Sequence, residues 1–108
     1  LACGSGGTTA ELQRDVQVRL TPVTDVDARE MLSGLRIYPL LTGYRGGPAV
    51  DLVALNDLLL RVGAMVGAHP EISELDLNPV IARADGVLAV DWRMRVASPR
   101  KIAPLGAR

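Results

Sequence analysis

Polar and apolar residues alternate along the segment between Ala10 and Leu20. The apolar positions are Leu12, Val16, Val18 and Leu20, and the polar positions between them include Glu11, Gln13, Asp15, Gln17 and Arg19. A two-residue period is typical of a strand with one face on a core and one in solvent. We therefore predict a half-buried strand that ends at Pro22.

Two segments carry apolar residues at helical spacing. In the first, Thr24 and Asp27 form a Thr-x-x-Asp capping box, which satisfies free N–H groups at a helix start. The apolar stripe that follows is Ala28, Met31, Leu32 and Leu35. In the second, Asp51 can cap a helix whose face is Leu52, Leu55, Leu59, Val62 and Val66, with Leu58 and Met65 beside it. Each stripe predicts an amphipathic helix packed on a sheet.

The remaining segments predict strands and turns. Pro39–Leu41 is a short apolar run before a glycine-rich turn at 43–47, and we expect a short strand there. The last third predicts a hairpin, with strands at 72–82 and 87–96 around the turn at 84–86. The predicted fold class is α+β, a small mixed, largely antiparallel sheet with two helices packed on one face.

Alternation places Glu74, Asp76 and Asn78 on one face of the first hairpin strand. If Asp85 and Gly86 are the two central turn residues, Asn78 lies opposite Arg93 and diagonal to Asp91 on that face. A four-residue loop would place Asn78 and Asp91 directly opposite, and a three-residue loop would send them to different faces. Diagonal neighbours are about 7–8 Å apart, so two oxygens can converge on one ion such as Mg²⁺. The alternative is that these polar groups only face solvent.

Composition limits the choice of function. The chain has 108 residues, 48% of them apolar, and its 12 basic and 12 acidic side chains balance to a net charge of zero. We expect one domain at 1–97 and a tail or linker at 98–108. The balanced charge argues against nucleic acid or a membrane as the main partner. The single cysteine and the lack of a long apolar run predict a cytoplasmic location, and an opening at Leu1 predicts a piece of a longer protein.

The segment Glu74–Pro79, Glu-Leu-Asp-Leu-Asn-Pro, is followed after a glycine turn by Val90-Asp91. This pattern resembles the end of the ATP-grasp domain in ADP-forming acyl-CoA synthetases and in succinyl-CoA synthetase beta subunits. Further matches are Gly6-Gly7 with Glu11, the run 14–22, and the run 39–46. The resemblance implies the C-terminal subdomain of an ATP-grasp fold. Similar segments also occur in multidomain acetyltransferases.

The resemblance also implies site roles. Asn78 and Asp91 match the residues that hold the Mg²⁺ of the bound nucleotide, ATP or ADP, and Asp76 matches a neighbouring acidic position that supports the metal site. Arg45 and Glu11 are candidate nucleotide contacts, with a structural bond and an exposed strand position as their respective alternatives. The implied partners are the other ATP-grasp half and the CoA-binding domains of a parent protein, so the isolated piece is expected to be inactive.

Two functions remain open from the sequence. One is the nucleotide- and magnesium-binding part of an acid–CoA ligase. The other is a non-catalytic regulatory or interaction module with a degenerate ATP-grasp fold, for example within an acetyltransferase. Trp92 favours the second, because the resemblance leads us to expect a small residue between Asp91 and Arg93.

Overall fold

The computed structural model describes residues 1–6, 14–43 and 46–98. The described part has an α+β fold, which confirms the predicted class. Its elements are β1 (Ala2–Gly4), β2 (Val16–Val18), α1 (Asp25–Ser33), α2 (Tyr38–Leu41), α3 (Leu52–Ala68), β3 (Ile72–Leu77), β4 (Val80–Arg83), β5 (Gly86–Ala89) and β6 (Trp92–Val96). The strands pair as three antiparallel two-stranded sheets, β1–β2, β3–β6 and β4–β5, instead of one continuous sheet.

The start of α1 has the predicted capping box. The Thr24 hydroxyl accepts the Asp27 N–H at 3.1 Å, and the Asp27 carboxylate accepts the Thr24 N–H at 2.9 Å. These hydrogen bonds to Thr24 lower the pKa of Asp27. At α3, Asp51 caps the helix as predicted, because its carboxylate accepts the Ala54 N–H at 2.9 Å.

The core lies where α1 packs against α3. Its buried apolar residues are Ala28, Met31, Leu32, Leu35 and Leu59. The predicted stripe of α1 is therefore buried as a whole. Of the stripe predicted for α3, only Leu59 is buried, and the other members of that stripe are partly exposed. In the described residues the core thus centres on α1, with Met31 fully buried.

The predicted strand between Ala10 and Leu20 is observed as β2, and residues 7–13 lie outside the described part. Its predicted burial is wrong. The apolar side chains that should face a core are exposed, with Val18 at 61% and Leu20 at 90%. Helix α1 instead contacts the polar side of β2, where the Gln17 amide donates to the carbonyl of Gly34 at 3.2 Å.

Asp15 was predicted on the solvent side of the strand, and it is 4% exposed. Its carboxylate accepts the N–H of Arg36 at 2.6 Å and that of Ile37 at 3.1 Å. Burial alone would raise the pKa of Asp15, but these two bonds, a hydrogen bond with Ser5 and the Arg36 charge outweigh it and lower the pKa. A buried carboxylate thus ties the turn after α1 to the start of β2.

The strand predicted at Pro39–Leu41 is also wrong, because this segment belongs to the short helix α2. Proline fits the first turn of a helix, since its fixed φ suits that turn and the first N–H groups need no partner there. Local bonds complete the turn, with Leu40 N–H donating to the Ile37 carbonyl at 2.8 Å and Thr42 N–H to the Tyr38 carbonyl at 3.1 Å. An apolar run of this length is ambiguous between helix and strand by pattern alone.

One face of the C-terminal hairpin is apolar and open. Its cross-strand pairs are Leu75 with Met94, Leu77 with Trp92, and Ile81 with Leu88. Several of these side chains are exposed, including Leu88 at 66% and Trp92 at 60%. We call the set formed by these three pairs the apolar hairpin face. Exposed apolar side chains in both halves of a hairpin are typical of a contact surface.

The remaining predictions concern Cys3, membrane-spanning helices and the division of the chain at residue 98. Cys3 is a partly buried free thiol, and burial raises its pKa. In the described residues, every helix is too short or too polar to cross a membrane. The division at residue 98 stays a prediction, because residues 99–108 lie outside the described part.

Candidate functional site

The turn of the C-terminal hairpin sets the geometry of the candidate site. Arg83 pairs with Gly86, so the turn residues are Ala84 and Asp85, one position earlier than predicted. Gly86 has φ of +143°, a conformation that glycine tolerates and other residues rarely adopt. It opens β5 instead of completing the turn. The predicted turn centre at Asp85-Gly86 is therefore wrong.

The earlier turn moves each cross-strand partner by two positions. Arg93 now pairs with Asp76. Asn78 lies directly opposite Asp91, with the Asn78 N–H donating to the Asp91 carbonyl at 3.0 Å. The prediction that Asn78 faces Arg93 and is diagonal to Asp91 is wrong in register. A shift by two positions keeps every side chain on its face, so both side chains still belong to one face of the hairpin.

The hairpin is interrupted at this point. Strand β3 ends at Leu77 and β4 begins at Val80, with Asn78 and Pro79 between them and a cis peptide bond joining these two. Pro79 has no N–H to give to the ladder. Its carbonyl still accepts the Val90 N–H at 3.0 Å, which holds the two halves in one register.

An open pocket of about 230 Å³ lies on this part of the hairpin and is lined by Asp76, Asn78, Asp91, Trp92 and Arg93. It therefore brings together all three residues that the sequence predicted as a metal site. The Asp91 carboxylate accepts the backbone N–H of Trp92 at 2.8 Å through Oδ1. This bond orients the carboxylate and leaves its second oxygen available to a ligand.

The donor atoms of this pocket suit magnesium. Carboxylate and amide oxygens are hard ligands, and Mg²⁺ uses few protein ligands because water and phosphate oxygens complete its shell. Within the described ranges, no group of three or more His, Cys, Asp or Glu side chains is placed to hold a metal ion. Asn78 and Asp91 could therefore contribute two oxygen ligands to such an ion.

Arg93 is the pocket residue that sequence reasoning left without a role. The signal was present, since alternation along the last strand puts Asp91, Arg93 and Arg95 on one face. What the pattern did not show is that these two arginines differ. Arg95 lies 3.8 Å from the Glu74 carboxylate, whereas Arg93 has no ion pair among the described residues.

Two candidate nucleotide contacts fall elsewhere. Glu11 and Arg45 lie outside the described residues, so their roles stay predictions. Trp92, in contrast, pairs with Leu77 on the apolar hairpin face. It also lines the pocket together with Asn78 and Asp91.

Comparison with known proteins assigns the family. The ATP-grasp domain model matches residues 1–96. The chain therefore belongs to the ATP-grasp domain family, which confirms the resemblance.

Two curated relatives are CoA ligases. The beta subunit of ADP-forming acetate–CoA ligase I from Pyrococcus furiosus is 43% identical over 91 residues, covering 84% of this chain and 39% of that protein. A trans-feruloyl-CoA synthase from an unknown prokaryotic organism is 44% identical over 96 residues, covering 86% of this chain and 13% of that protein. The chain thus spans well under half the length of the curated relatives it matches.

A solved structure agrees in fold. The dinucleotide forming acetyl-coenzyme A synthetase 1 of Ca. Korarchaeum cryptofilum, in complex with coenzyme A and Mg-AMPPCP, aligns with a TM-score of 0.82 at 43% identity. The match covers 89% of this chain and 45% of that chain.

Proposed function

We propose that this chain is the nucleotide- and magnesium-binding portion of an ADP-forming acid–CoA ligase, and that it has no activity without the rest of its parent protein. The observation that carries the proposal is the placement of Asn78 directly opposite Asp91, with both residues lining the open pocket. The similarity to ADP-forming acetate–CoA ligase beta subunits supports the reaction class. A solved relative that holds Mg-AMPPCP supports the ligands.

Each pocket residue has a distinct part in this proposal. Asn78 and Asp91 would hold the ion through one amide and one carboxylate oxygen, and the backbone bond between them fixes their separation. Asp76, two cross-strand pairs away, would support the site by its charge. When bound with a nucleotide, Mg²⁺ neutralises phosphate charge and orients the phosphates for transfer. Glu11 and Arg45 are proposed as further nucleotide contacts.

The parent protein is the proposed partner of the apolar hairpin face. Relatives carry more chain than this one spans, since the match covers 45% of the solved relative. The exposed side chains Ile81, Leu88 and Trp92 would be costly to leave in water. We propose that another part of the parent polypeptide, the remaining ATP-grasp half, covers this face. The CoA-binding domains complete the enzyme.

Replacement of the two ligands tests the proposed site. In the intact parent protein, Asn78→Ala and Asp91→Ala each remove one oxygen ligand. We expect Mg-nucleotide binding, measured by calorimetry, and nucleotide-dependent acyl-CoA formation to fall by about 100-fold or more, since even supporting residues around metals are worth about 10–100-fold. Glu74→Ala is the matched control, because Glu74 lies on the same face two residues before Asp76 and outside the pocket. Full activity in both ligand variants would refute the proposal.

Binding measurements on the unmodified parent separate this proposal from the alternative module. A non-catalytic interaction module would show no Mg²⁺-dependent nucleotide binding. The proposed function requires that binding, and it requires that a chelator remove it.

The covered face has its own test. In the intact parent, Leu88→Asp places a charge on the apolar hairpin face, and Asp85→Ala, in the adjacent turn, serves as the control. We expect the first variant to lower the thermal midpoint of the parent and the second to leave it nearly unchanged. Equal midpoints would show that this face stays in water.

A further inference from the structure

We propose that Arg93 binds the terminal phosphate of the nucleotide at the site formed by Asn78 and Asp91. This inference rests on the proposed function and extends it, because it assigns a phosphate-binding side chain within the described part of the chain. It draws on the position of Arg93, on its unpaired charge and on the charge balance of the pocket.

Arg93 is placed to reach a phosphate held by the ion. It lies two residues after Asp91, and two steps along an extended chain cover about 6.6 Å on the same face. It is also directly opposite Asp76 and lines the same pocket. A long arginine side chain can therefore reach the outer oxygens of that phosphate.

The guanidinium of Arg93 is also available. In the described residues it takes part in no hydrogen bond or ion pair, although Asp76 lies opposite it. Arg95, on the same face of the same strand, is 3.8 Å from Glu74. Arginine presents a planar fork of N–H donors that matches two phosphate oxygens at once. Arg93 lines the pocket, and its fork has no protein partner among the described residues.

The charge of the pocket explains why phosphate and Mg²⁺ should bind together. Asp76 and Asp91 outweigh the single guanidinium of Arg93, so the pocket by itself is negative and repels an anion. A bound dication reverses the sign. Phosphate then meets a positive site in which Arg93 supplies donors that the metal cannot. The contact made by Arg93 should therefore matter only when Mg²⁺ is present.

The test compares two arginines in the intact parent protein. Calorimetry measures the Kd of AMPPCP, ADP and AMP, each with saturating Mg²⁺, for Arg93→Ala, Arg95→Ala and the unmodified protein. A charge-assisted hydrogen bond contributes about 1.5–3 kcal/mol, so we expect Arg93→Ala to raise the Kd of AMPPCP by about 10- to 150-fold. Loss of the terminal phosphates should make the effect on AMP much smaller. Arg95→Ala should stay within about twofold of the unmodified protein.

Arg93→Lys guards against a misfolded alanine variant. Lysine keeps the charge and loses the fork, so a Kd between those of arginine and alanine supports the proposal. An unchanged Kd in Arg93→Ala, or an equal loss for AMP and AMPPCP, would overturn it. Should Asn78→Ala and Asp91→Ala lose binding while Arg93→Ala does not, only this inference fails. Should the two ligand variants bind normally, the proposed function fails first.

Discussion

Asn78 and Asp91 face each other across the C-terminal hairpin, and the N–H of Asn78 donates to the carbonyl of Asp91 at 3.0 Å. The separation of the two side chains is thus set by a backbone bond between the strands. Directly opposite side chains have Cβ atoms about 4.5–5.5 Å apart, close enough to share an ion and close enough to repel when both are charged.

This relationship predicts the behaviour of Asn78→Asp. Two carboxylates would then face each other, and we expect the chain to lose up to about 1 kcal/mol of stability without metal. Millimolar Mg²⁺ should restore the loss, because the ion binds the charged pair. Urea unfolding followed by circular dichroism, with and without Mg²⁺, measures both effects. Asn78→Ala is the control and should show no response to Mg²⁺. An equal response of the two variants would contradict the prediction.

Asp15→Asn should destabilise the chain by about 1–3 kcal/mol at neutral pH, because an amide cannot accept both the Arg36 and Ile37 N–H groups as well as a carboxylate does. Urea unfolding measures this loss. Asp57→Asn is the control, an exposed change that should stay within about 0.5 kcal/mol.

The pH dependence of the Asp15 contribution has a defined sign. Because the pKa of Asp15 in the folded chain is below its ordinary value of 3.8, its contribution is fully present above pH 3.8 and is lost as the pH falls through the lower, folded value. The stability difference between unmodified chain and Asp15→Asn should therefore be constant near neutral pH and shrink below pH 3.8. A difference that grows on acidification would contradict the lowered pKa.

Met31 is the large side chain that the described core buries completely. Met31→Ala should cost about 2–5 kcal/mol, since it removes buried apolar surface and leaves a cavity between α1 and its neighbours. Val53→Ala in α3 is the control, because Val53 is 81% exposed and its truncation should cost little. Thermal unfolding of the two variants measures the contrast. Similar midpoints would show that the core does not centre on α1.

Two glycines with open space around their Cβ positions should respond in opposite directions to alanine. Gly67 lies inside α3, and Gly67→Ala should stabilise the chain by about 0.5–1 kcal/mol, because alanine has the higher helix propensity. Gly86 has φ of +143°, and Gly86→Ala should destabilise it by about 1–2 kcal/mol through backbone strain. Urea midpoints give both signs. No loss of stability in Gly86→Ala would mean that a side chain does not strain the backbone there, and a loss in Gly67→Ala would contradict the expected gain in helix propensity.

Local patterns determined much of the fold in advance. The capping box of Thr24 and Asp27, the cap at Asp51 and the buried stripe of α1 all depend on residues three or four positions apart, so they can be read from the chain directly. The chemical character of the site was also readable, because alternation along the hairpin puts Asp76, Asn78 and Asp91 on one face whenever the turn has even parity.

Tertiary structure decided what depends on distant partners. The alternation in β2 indicated that one face of the strand is buried. Which face is buried depends on the elements that pack beside the strand. Helix α1 contacts the polar side, and the turn that follows α1 buries Asp15. The turn lies at Ala84-Asp85 and Gly86 opens β5, one residue earlier than the pair Asp85-Gly86 indicates. That one-residue difference placed Asn78 opposite Asp91 and Arg93 opposite Asp76. Periodicity fixes the face of a side chain, whereas only the folded backbone fixes its neighbour, because register is a property of two segments together.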